Sequence, residues 1–352
     1  MKRTLSDQRK DVFVNRRILD DLEFILDHTK DMLKELKDKR LFITGGTGFF
    51  GCWLLETLIW ANKRFGLNLS ATVLTRDYKS FEKKAPHLAK NPILKFYVGD
   101  VRNFSFPEEK FDYVIHFASA SAVEKFKGAD PIERFNIIVQ GTRHVLDFCV
   151  ECGAKKLLYT SSGYIYGDFN FPVSEDYNGS VTIDDPNAPL GIGKKVAEFF
   201  CYTYAKKYGL EIKIARCFSF LGPYLQLNIH YAVGNFIRDA ILGGPIIVKG
   251  DGMPIRSYMY ASDLMIWLLH ILLRGKSFQP YNVGSDQAIS IRDLAYLVAE
   301  CTGVKEVVFQ NKISSGKRYY VPSIELARRE LGLDVFTPLR EAIIKTFNFY
   351  KP

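Results

Sequence analysis

The chain has 352 residues, 47% apolar and 25% charged, a balance that excludes a disordered or fibrous protein and leaves enough length to bury a large core. Its formal net charge of +9, from 48 basic and 39 acidic residues, favours anionic partners, a demand that a phosphorylated small molecule meets as well as a nucleic acid. No run reaches the roughly 18 apolar residues needed to cross a bilayer; Met265 to Leu273, interrupted by His270, reads as a buried helix.

In chain order, Lys2, Arg3, Arg9 and Lys10 are broken up by Asp7 and Asp11, and no apolar signal segment follows, so secretion is not expected. Ile18, Leu22, Ile25, Thr29, Met32 and Leu36 recur at spacings of three or four, predicting an amphipathic helix within an N-terminal extension, residues 1–38. That helix docks on the main domain or on another subunit. From Arg40, strand-like and helix-like segments alternate. Strands are expected at Leu41–Thr44, Ala71–Leu74, Lys95–Val98, Tyr113–Phe117, Lys156–Ser161 and Glu211–Ala215, with helices at Cys52–Phe65 and around 134–152 and 193–208. Such alternation predicts an α/β fold: a Rossmann-type parallel sheet with helices on both faces, spanning 39–222. Beyond Gly222 the pattern loosens into turn-rich pieces, a smaller C-terminal region over 223–352, with part of 255–290 returning to the first domain. A ligand would sit between the two, outside the carboxyl ends of the strands.

The six cysteines have no metal-site spacing and sit in apolar contexts such as Phe148-Cys149 and Phe200-Cys201, as reduced, buried thiols of a cytoplasmic protein do. No metal site is expected. Lys206-Lys207, the strongest basic cluster, falls on a helical pattern as a solvated face, and no nucleic-acid-binding module is recognisable.

The turn Gly45-Gly46-Thr47-Gly48-Phe49-Phe50-Gly51 follows an apolar strand and opens a helix, the context in which a glycine motif binds a dinucleotide pyrophosphate. One glycine makes the tight turn, one admits the phosphates, and one allows close helix–strand contact. At the next strand tip an acid normally takes the adenosine ribose of NAD. Here the run is Leu74-Thr75-Arg76, and an arginine suits the 2′-phosphate of NADP, although Asp77 follows. NAD and NADP both stay open. Asp100 with Val101 is expected at the adenine edge, and His116-Phe117-Ala118-Ser119 beside the pyrophosphate and ribose, with His116 in a packing or backbone-bonding role.

Together with Asn136, Gly141-Thr142, Thr160-Ser161-Ser162, Tyr166-Gly167, Lys194 with Glu198, Arg216 with Gly222-Pro223, Arg256 and Asn282-Val283-Gly284, these motifs resemble the NAD-dependent epimerase/dehydratase family, extended short-chain dehydrogenase/reductases acting on nucleotide sugars. The likeness runs from about residue 38 to 345. It implies a cytoplasmic pyridine-nucleotide enzyme, commonly a homodimer, whose C-terminal region holds a nucleoside diphosphate sugar, with Asn136 and Thr160 joining the cofactor site. Family members oxidise a sugar hydroxyl, often at C4, and then epimerise, dehydrate or decarboxylate the ketone.

The family's catalytic set is a Ser or Thr after the fifth strand and a Tyr and Lys four residues apart on one helix face. The tyrosinate takes the hydroxyl proton, and the ammonium lowers its pKa from about 10. Ser162 and Lys194 match, Lys194 also implied to bond the nicotinamide ribose. The tyrosine position holds Leu190, which cannot exchange a proton. Tyr164 stands where dehydratases and decarboxylases of the family carry a glutamate; a proton-transfer role and a packing role both stay open for it. With Gly163 in place of the dehydratase aspartate, the standard 4,6-dehydratase and decarboxylase patterns are disfavoured and a 4-epimerase acting through a transient keto-sugar is favoured. A dehydratase or ketoreductase with a non-standard base, and a catalytically impaired protein binding cofactor and sugar nucleotide, are the alternatives. On the substrate side the resemblance implies Ser162, Ser219, Asn235 and Lys249, with Arg256 for the diphosphate, unless it pairs with Asp263, and Arg318 as a second cation.

Overall fold

β-branched and apolar runs flanked by amphipathic helices fold here into a seven-stranded, wholly parallel sheet, with each run covered on both sides. The computed structural model describes residues 14–120, 128–229, 231–312 and 318–351; Lys2, Arg3, Asp7, Arg9, Lys10 and Asp11 lie outside the described residues. The first six sheet strands are β1 (Arg40–Thr44), β2 (Ser70–Thr75), β3 (Leu94–Val98), β4 (Tyr113–His116), β5 (Lys156–Ser162) and β6 (Glu211–Cys217). Between and before them run α1 (Leu19–Leu33), α2 (Phe49–Phe65), α3 (Tyr78–Lys84), α4 (Pro86–Ala89), α5 (Pro131–Glu151) and α6 (Ala188–Tyr208).

The C-terminal third supplies β7 (Phe220–Leu221), α7 (Ala232–Ile241), β8 (Ile246–Gly250), β9 (Ile255–Arg256), β10 (Met259–Tyr260), α8 (Ala261–Arg274), β11 (Pro280–Val283), β12 (Ile289–Ser290), α9 (Ile291–Thr302), β13 (Val307–Lys312), β14 (Tyr319–Tyr320), α10 (Glu325–Leu331) and α11 (Leu339–Tyr350). The sheet order is β11-β6-β5-β4-β1-β2-β3, so the chain winds outward from β1 in both directions. The crevice where the winding reverses lies at the carboxyl ends of β1 and β4. Strand β11 pairs with β6 in the sheet, while β9, β12 and β14 form a small separate sheet and α7, α9 and α11 share a core of their own with β8.

One face of the sheet is covered by α2, α8 and α1, the other by α5 and α6. Leu22, Ile25 and Leu33 of α1 are fully buried against the chain's own α2 and α8, so the apolar face of the N-terminal helix is spent within this chain. Asp21 fastens it further, accepting hydrogen bonds from Tyr260 at 2.8 Å and from the Lys345 ammonium at 2.8 Å.

Three helices start earlier than their sequence patterns suggest, α5 by three residues at Pro131. Helix α2 begins at Phe49, inside the glycine motif. Helix α6 begins at Ala188, five residues before the expected 193, because Pro189 in the first turn loses no hydrogen bond there. Gly191 is held in the helix by close packing: a Cβ would lie 2.3 Å from Val181 Cγ2 and 2.8 Å from the Tyr164 carbonyl oxygen.

Because Leu22 is wholly enclosed, Leu22→Ala should cost about 2–5 kcal/mol of stability. Urea denaturation followed by circular dichroism measures it; a loss under about 0.5 kcal/mol would mean that α1 does not belong to the core.

Candidate active site

Strand β1 ends at the glycine turn. Gly45 has φ +70°, and a Cβ there would lie 2.6 Å from the Ala118 amide nitrogen; at Gly51 it would lie 2.2 Å from the Gly46 carbonyl carbon. The turn closes through Gly48 N–H donating to Gly45 O at 3.1 Å. Gly48 is the N-cap of α2 and brings no side chain to it, so the first-turn amides of Phe49, Phe50 and Gly51 have no intrahelical acceptor. That is the donor set a pyrophosphate needs. The Phe50 ring packs between Phe117 at 5.8 Å and Phe220 at 5.1 Å, and the Thr47 carbonyl accepts the Lys84 ammonium at 2.9 Å.

At the neighbouring strand tips Thr75 is buried and Arg76 exposed, while Asp77 caps α3 by accepting from Ser80 N–H at 2.9 Å. Asp100 takes Arg102 Nε at 2.8 Å and Nη2 at 3.0 Å, and this guanidinium holds its carboxyl below the usual range against an opposing effect of burial. Val101 packs on α5 where Gly141 leaves room for it. His116 is enclosed, with Thr44 Oγ1 2.7 Å from Nδ1 and Thr142 Oγ1 3.1 Å from Nε2; burial pushes its pKa down to about 3 and it is neutral at pH 7. Its place is structural, beneath the turn, where Ala118 N–H also donates to Thr44 Oγ1. Ser119 Oγ is buried with no hydrogen-bond partner among the described residues, an orphan that a ligand oxygen would satisfy. Asn136 is half-buried on α5.

On the other side of the crevice, Lys194 is enclosed rather than solvated. Its ammonium donates to the Thr160 carbonyl at 2.6 Å and lies 4.7 Å over the Tyr159 ring, and burial lowers its pKa to about 8. Leu190, one helical turn before it, packs on the core between the sheet and helices α5 and α6. Ser162 Oγ accepts Tyr164 N–H at 3.2 Å. Tyr164 lies with its ring 5.0 Å from that of Tyr320, which is buried and hydrogen-bonded to Ser162. Burial raises both phenol pKa values, and the Arg256 charge opposes the rise in each. At Gly163 a Cβ would lie 2.6–2.8 Å from the Phe218 ring atoms, so a larger residue there requires the ring to move.

The pairing of Arg256 with Asp263 does not form. Asp263 is taken by the backbone of Phe336 and Thr337 and by the Thr337 hydroxyl, whereas Arg256 bonds the Ile255 carbonyl at 2.7 Å. Arg216 and Tyr166 are structural: Arg216 forks onto Glu198 at 2.8 and 3.1 Å and bonds Tyr166 Oη, which in turn donates to Asn282 Oδ1. Ser219 offers its carbonyl to Met259 N–H, Asn235 accepts from Arg238, Lys249 is exposed, and Arg318 is exposed and 3.9 Å from Asp251. Thus Ser162, Tyr164 and Arg256 gather near one another, with the Arg318 carbonyl 3.5 Å from Arg256 Nη1, while Asn235 engages Arg238 and Lys249 is exposed. Tyr320, Lys84 and Arg102 escaped the sequence reading: Tyr320 and Lys84 meet their partners through tertiary packing, and Arg102 joins a local pairing with Asp100 to a tertiary one with Glu133.

With this geometry the comparisons are specific. Residues 41–284 match the model of the NAD dependent epimerase/dehydratase family, and the chain belongs to that family. It is 30% identical over 321 residues to UDP-glucuronic acid decarboxylase 1 of Xenopus tropicalis, covering 91% of this chain and 74% of the relative. Among solved structures, UDP-glucose 4-epimerase from Thermotoga maritima superposes with a TM-score of 0.74 at 23% identity over 88% of this chain and 98% of its own. UDP-glucuronic acid 4-epimerase from Bacillus cereus, solved with UDP-glucuronic acid and NAD, gives 0.76 at 20% identity over the same shares. Among the described residues no helix is long and apolar enough to cross a membrane, and no group of three or more His, Cys, Asp or Glu is arranged to hold a metal.

The depressed pKa of His116 sets a pH dependence. Its unfolded value is near 6.5 and its folded value about 3, so the unfolded chain binds the extra proton, and the stability from neutral His116 is present above about pH 6.5 and lost as pH falls towards 3. Urea denaturation should show the wild type losing roughly 3 kcal/mol more than His116→Gln between about pH 7 and pH 4. Parallel losses would assign the acid sensitivity to other groups.

Proposed function

We propose that the chain is an NAD(P)-dependent nucleotide-sugar oxidoreductase acting as a 4-epimerase through a transient keto-sugar. The observation that carries this is the meeting of Ser162, Tyr164 and the Lys194-bearing helix at the carboxyl end of β5, across the crevice from the glycine turn. The dinucleotide supplies hydride exchange with a sugar carbon when bound. Gly45, Thr47, Gly48, Phe49, Phe50 and Gly51 would seat its pyrophosphate, Thr75, Arg76, Asp100 and Val101 its adenosine, and Phe117, Ala118, Ser119, Asn136, Thr160 and Lys194 the remainder.

Ser162 accepts Tyr164 N–H and is hydrogen-bonded to Tyr320, so a sugar oxygen would replace the Tyr320 contact in taking the Ser162 proton. Lys194, anchored on Thr160, brings a positive charge into a dry site, where it favours an anionic oxygen. Leu190 cannot move a proton, so the proposed base and acid is the Tyr164 phenol. Arg256 offers a fork for the diphosphate, with Ser219, Asn235, Lys249 and Arg318 nearer the nucleotide. Gly163 and Tyr164 together bring no carboxyl to the site, which favours epimerisation over water elimination or loss of carbon dioxide, although the sequence relative is named a decarboxylase. A homodimer in the cytoplasm accompanies the proposal, and the free cysteines suit a reducing compartment.

A second reading follows from Leu190: a protein that binds both ligands and does not turn them over. A panel of UDP-, dTDP-, GDP- and CDP-sugars, followed by NMR of the sugar C4 proton, separates the two. Epimerised sugar is expected from the wild type, with kcat reduced about 10²- to 10⁴-fold in Tyr164→Phe. Full activity in Tyr164→Phe removes Tyr164 as the base. No turnover in the wild type, with activity created by Leu190→Tyr, establishes the second reading instead.

A further inference from the structure

Tyr320 shares the reactive end of the crevice with Ser162 and Tyr164, and the mechanism above gives it no task. It arrives on the two-residue strand β14, whose parallel pairing with β9 sets Tyr320 opposite Arg256. The chain is tied down on both sides of it. Before it, the Arg318 carbonyl accepts Ile255 N–H at 2.6 Å; after it, Val173 N–H donates to the Val321 carbonyl at 3.1 Å and Ser323 N–H to the Val173 carbonyl at 2.8 Å. The Asn282 amide fastens this stretch to β11, donating to the carbonyls of Val173 and Ser323 at 2.8 and 3.1 Å. The Tyr320 ring, only 5% exposed, packs on Tyr164 at 5.0 Å and on Phe218 at 4.7 Å, which keeps its hydroxyl on Ser162.

A serine hydroxyl has one proton to give and two lone pairs to fill. Tyr164 N–H fills one lone pair of Ser162 at 3.2 Å. Once a sugar oxygen takes the Ser162 proton, the second lone pair faces the Tyr320 hydroxyl in a buried place, where an unmade hydrogen bond is costly. Burial raises the Tyr320 pKa well above the ordinary phenol value, so this hydroxyl keeps its proton at neutral pH and is a donor, not a base. We infer that Tyr320 is a positioning residue for the sugar oxidation: with substrate bound, its hydroxyl turns from accepting the Ser162 proton to donating its own to Ser162 Oγ, and so aims the Ser162 O–H at the reacting sugar oxygen. No covalent bond is made or broken at Tyr320. Its donation polarises the Ser162 O–H, which then holds more tightly the sugar oxygen that gains negative charge in the transition state.

This inference rests on the reading of the chain as a 4-epimerase, and the two fail differently. The test is a double-mutant cycle on the full chain: wild type, Tyr320→Phe, Ser162→Ala and the double variant, with melting temperature as the check on folding. NMR of the sugar C4 proton gives kcat and KM on whichever UDP-, dTDP-, GDP- or CDP-sugar the wild type turns over. Tyr320→Phe keeps the packed ring and removes the hydroxyl. It should lower kcat about tenfold with KM within about threefold. Ser162→Ala should be slowed about 10²-fold and stay measurable, and adding Tyr320→Phe to it should change kcat by less than about twofold, because the group that Tyr320 acts through is gone. Full activity in Tyr320→Phe overturns the inference and leaves the residue a packing role. An equal loss in both backgrounds also overturns it, since Tyr320 would then act without Ser162. No turnover by the wild type overturns the epimerase reading, and the inference with it.

Discussion

A Cβ at position 51 would stand 2.2 Å from the carbonyl carbon of Gly46, a separation that no side chain can occupy. Strand β1 can therefore turn directly into α2 only with glycine at that point, and the rest of the crevice is arranged around this close approach. The left-handed Gly45 lets the chain run so near the end of β4 that a Cβ there would lie 2.6 Å from the Ala118 amide nitrogen. Thr44 and Thr142 then clasp His116 beneath the turn, and β1 and β4 are held side by side at the point where the sheet order reverses. A backbone constraint of a few residues thus fixes the side of the crevice formed by β1, β4 and the start of α2.

The opposite wall depends on a largely buried ion pair. Glu198, one turn after Lys194 on α6, receives the Arg216 fork from β6, and Arg216 passes the connection through Tyr166 and Asn282 to β11 and the segment at Val173. Removing one partner from such a pair leaves a desolvated charge, costing about 3–5 kcal/mol. The consequence for chemistry is positional: α6 cannot slide along the sheet, so Lys194 stays on the Thr160 carbonyl and Ser162 stays beside Tyr164 and Tyr320.

Much of this was legible from the residues alone, because it is written in local patterns. Alternating apolar strands and amphipathic helices predict the parallel sheet, and the glycine run after a strand predicts the turn. Gly191 and Gly193 weaken the helical pattern at the start of α6, and the close packing of Gly191 against Val181 and Tyr164, which keeps it in the helix, is a tertiary contact. Lys194 could be placed on the helix but not known to be buried, since burial comes from β5 and α5 packing around it. Tyr320 was invisible: it enters from a two-residue strand paired with β9, far along the chain from Ser162. Asp77 was ambiguous for a physical reason, since an acid after a strand can serve a ribose or a helix cap, and only the Ser80 contact distinguishes them.

The central claim is that the Gly45–Gly51 turn seats a dinucleotide. Gly48 offers the sharpest probe, because its backbone lies in a region any residue adopts and a Cβ there meets the Gly45 carbonyl oxygen at 3.3 Å, a contact the fold can absorb and a pyrophosphate against the turn cannot. Isothermal titration of the wild type and Gly48→Val with the preferred nicotinamide dinucleotide should give one site per chain in the wild type and none in the variant, with equal melting temperatures before ligand is added. Undiminished binding by a folded Gly48→Val, or no binding by the wild type, would contradict the account.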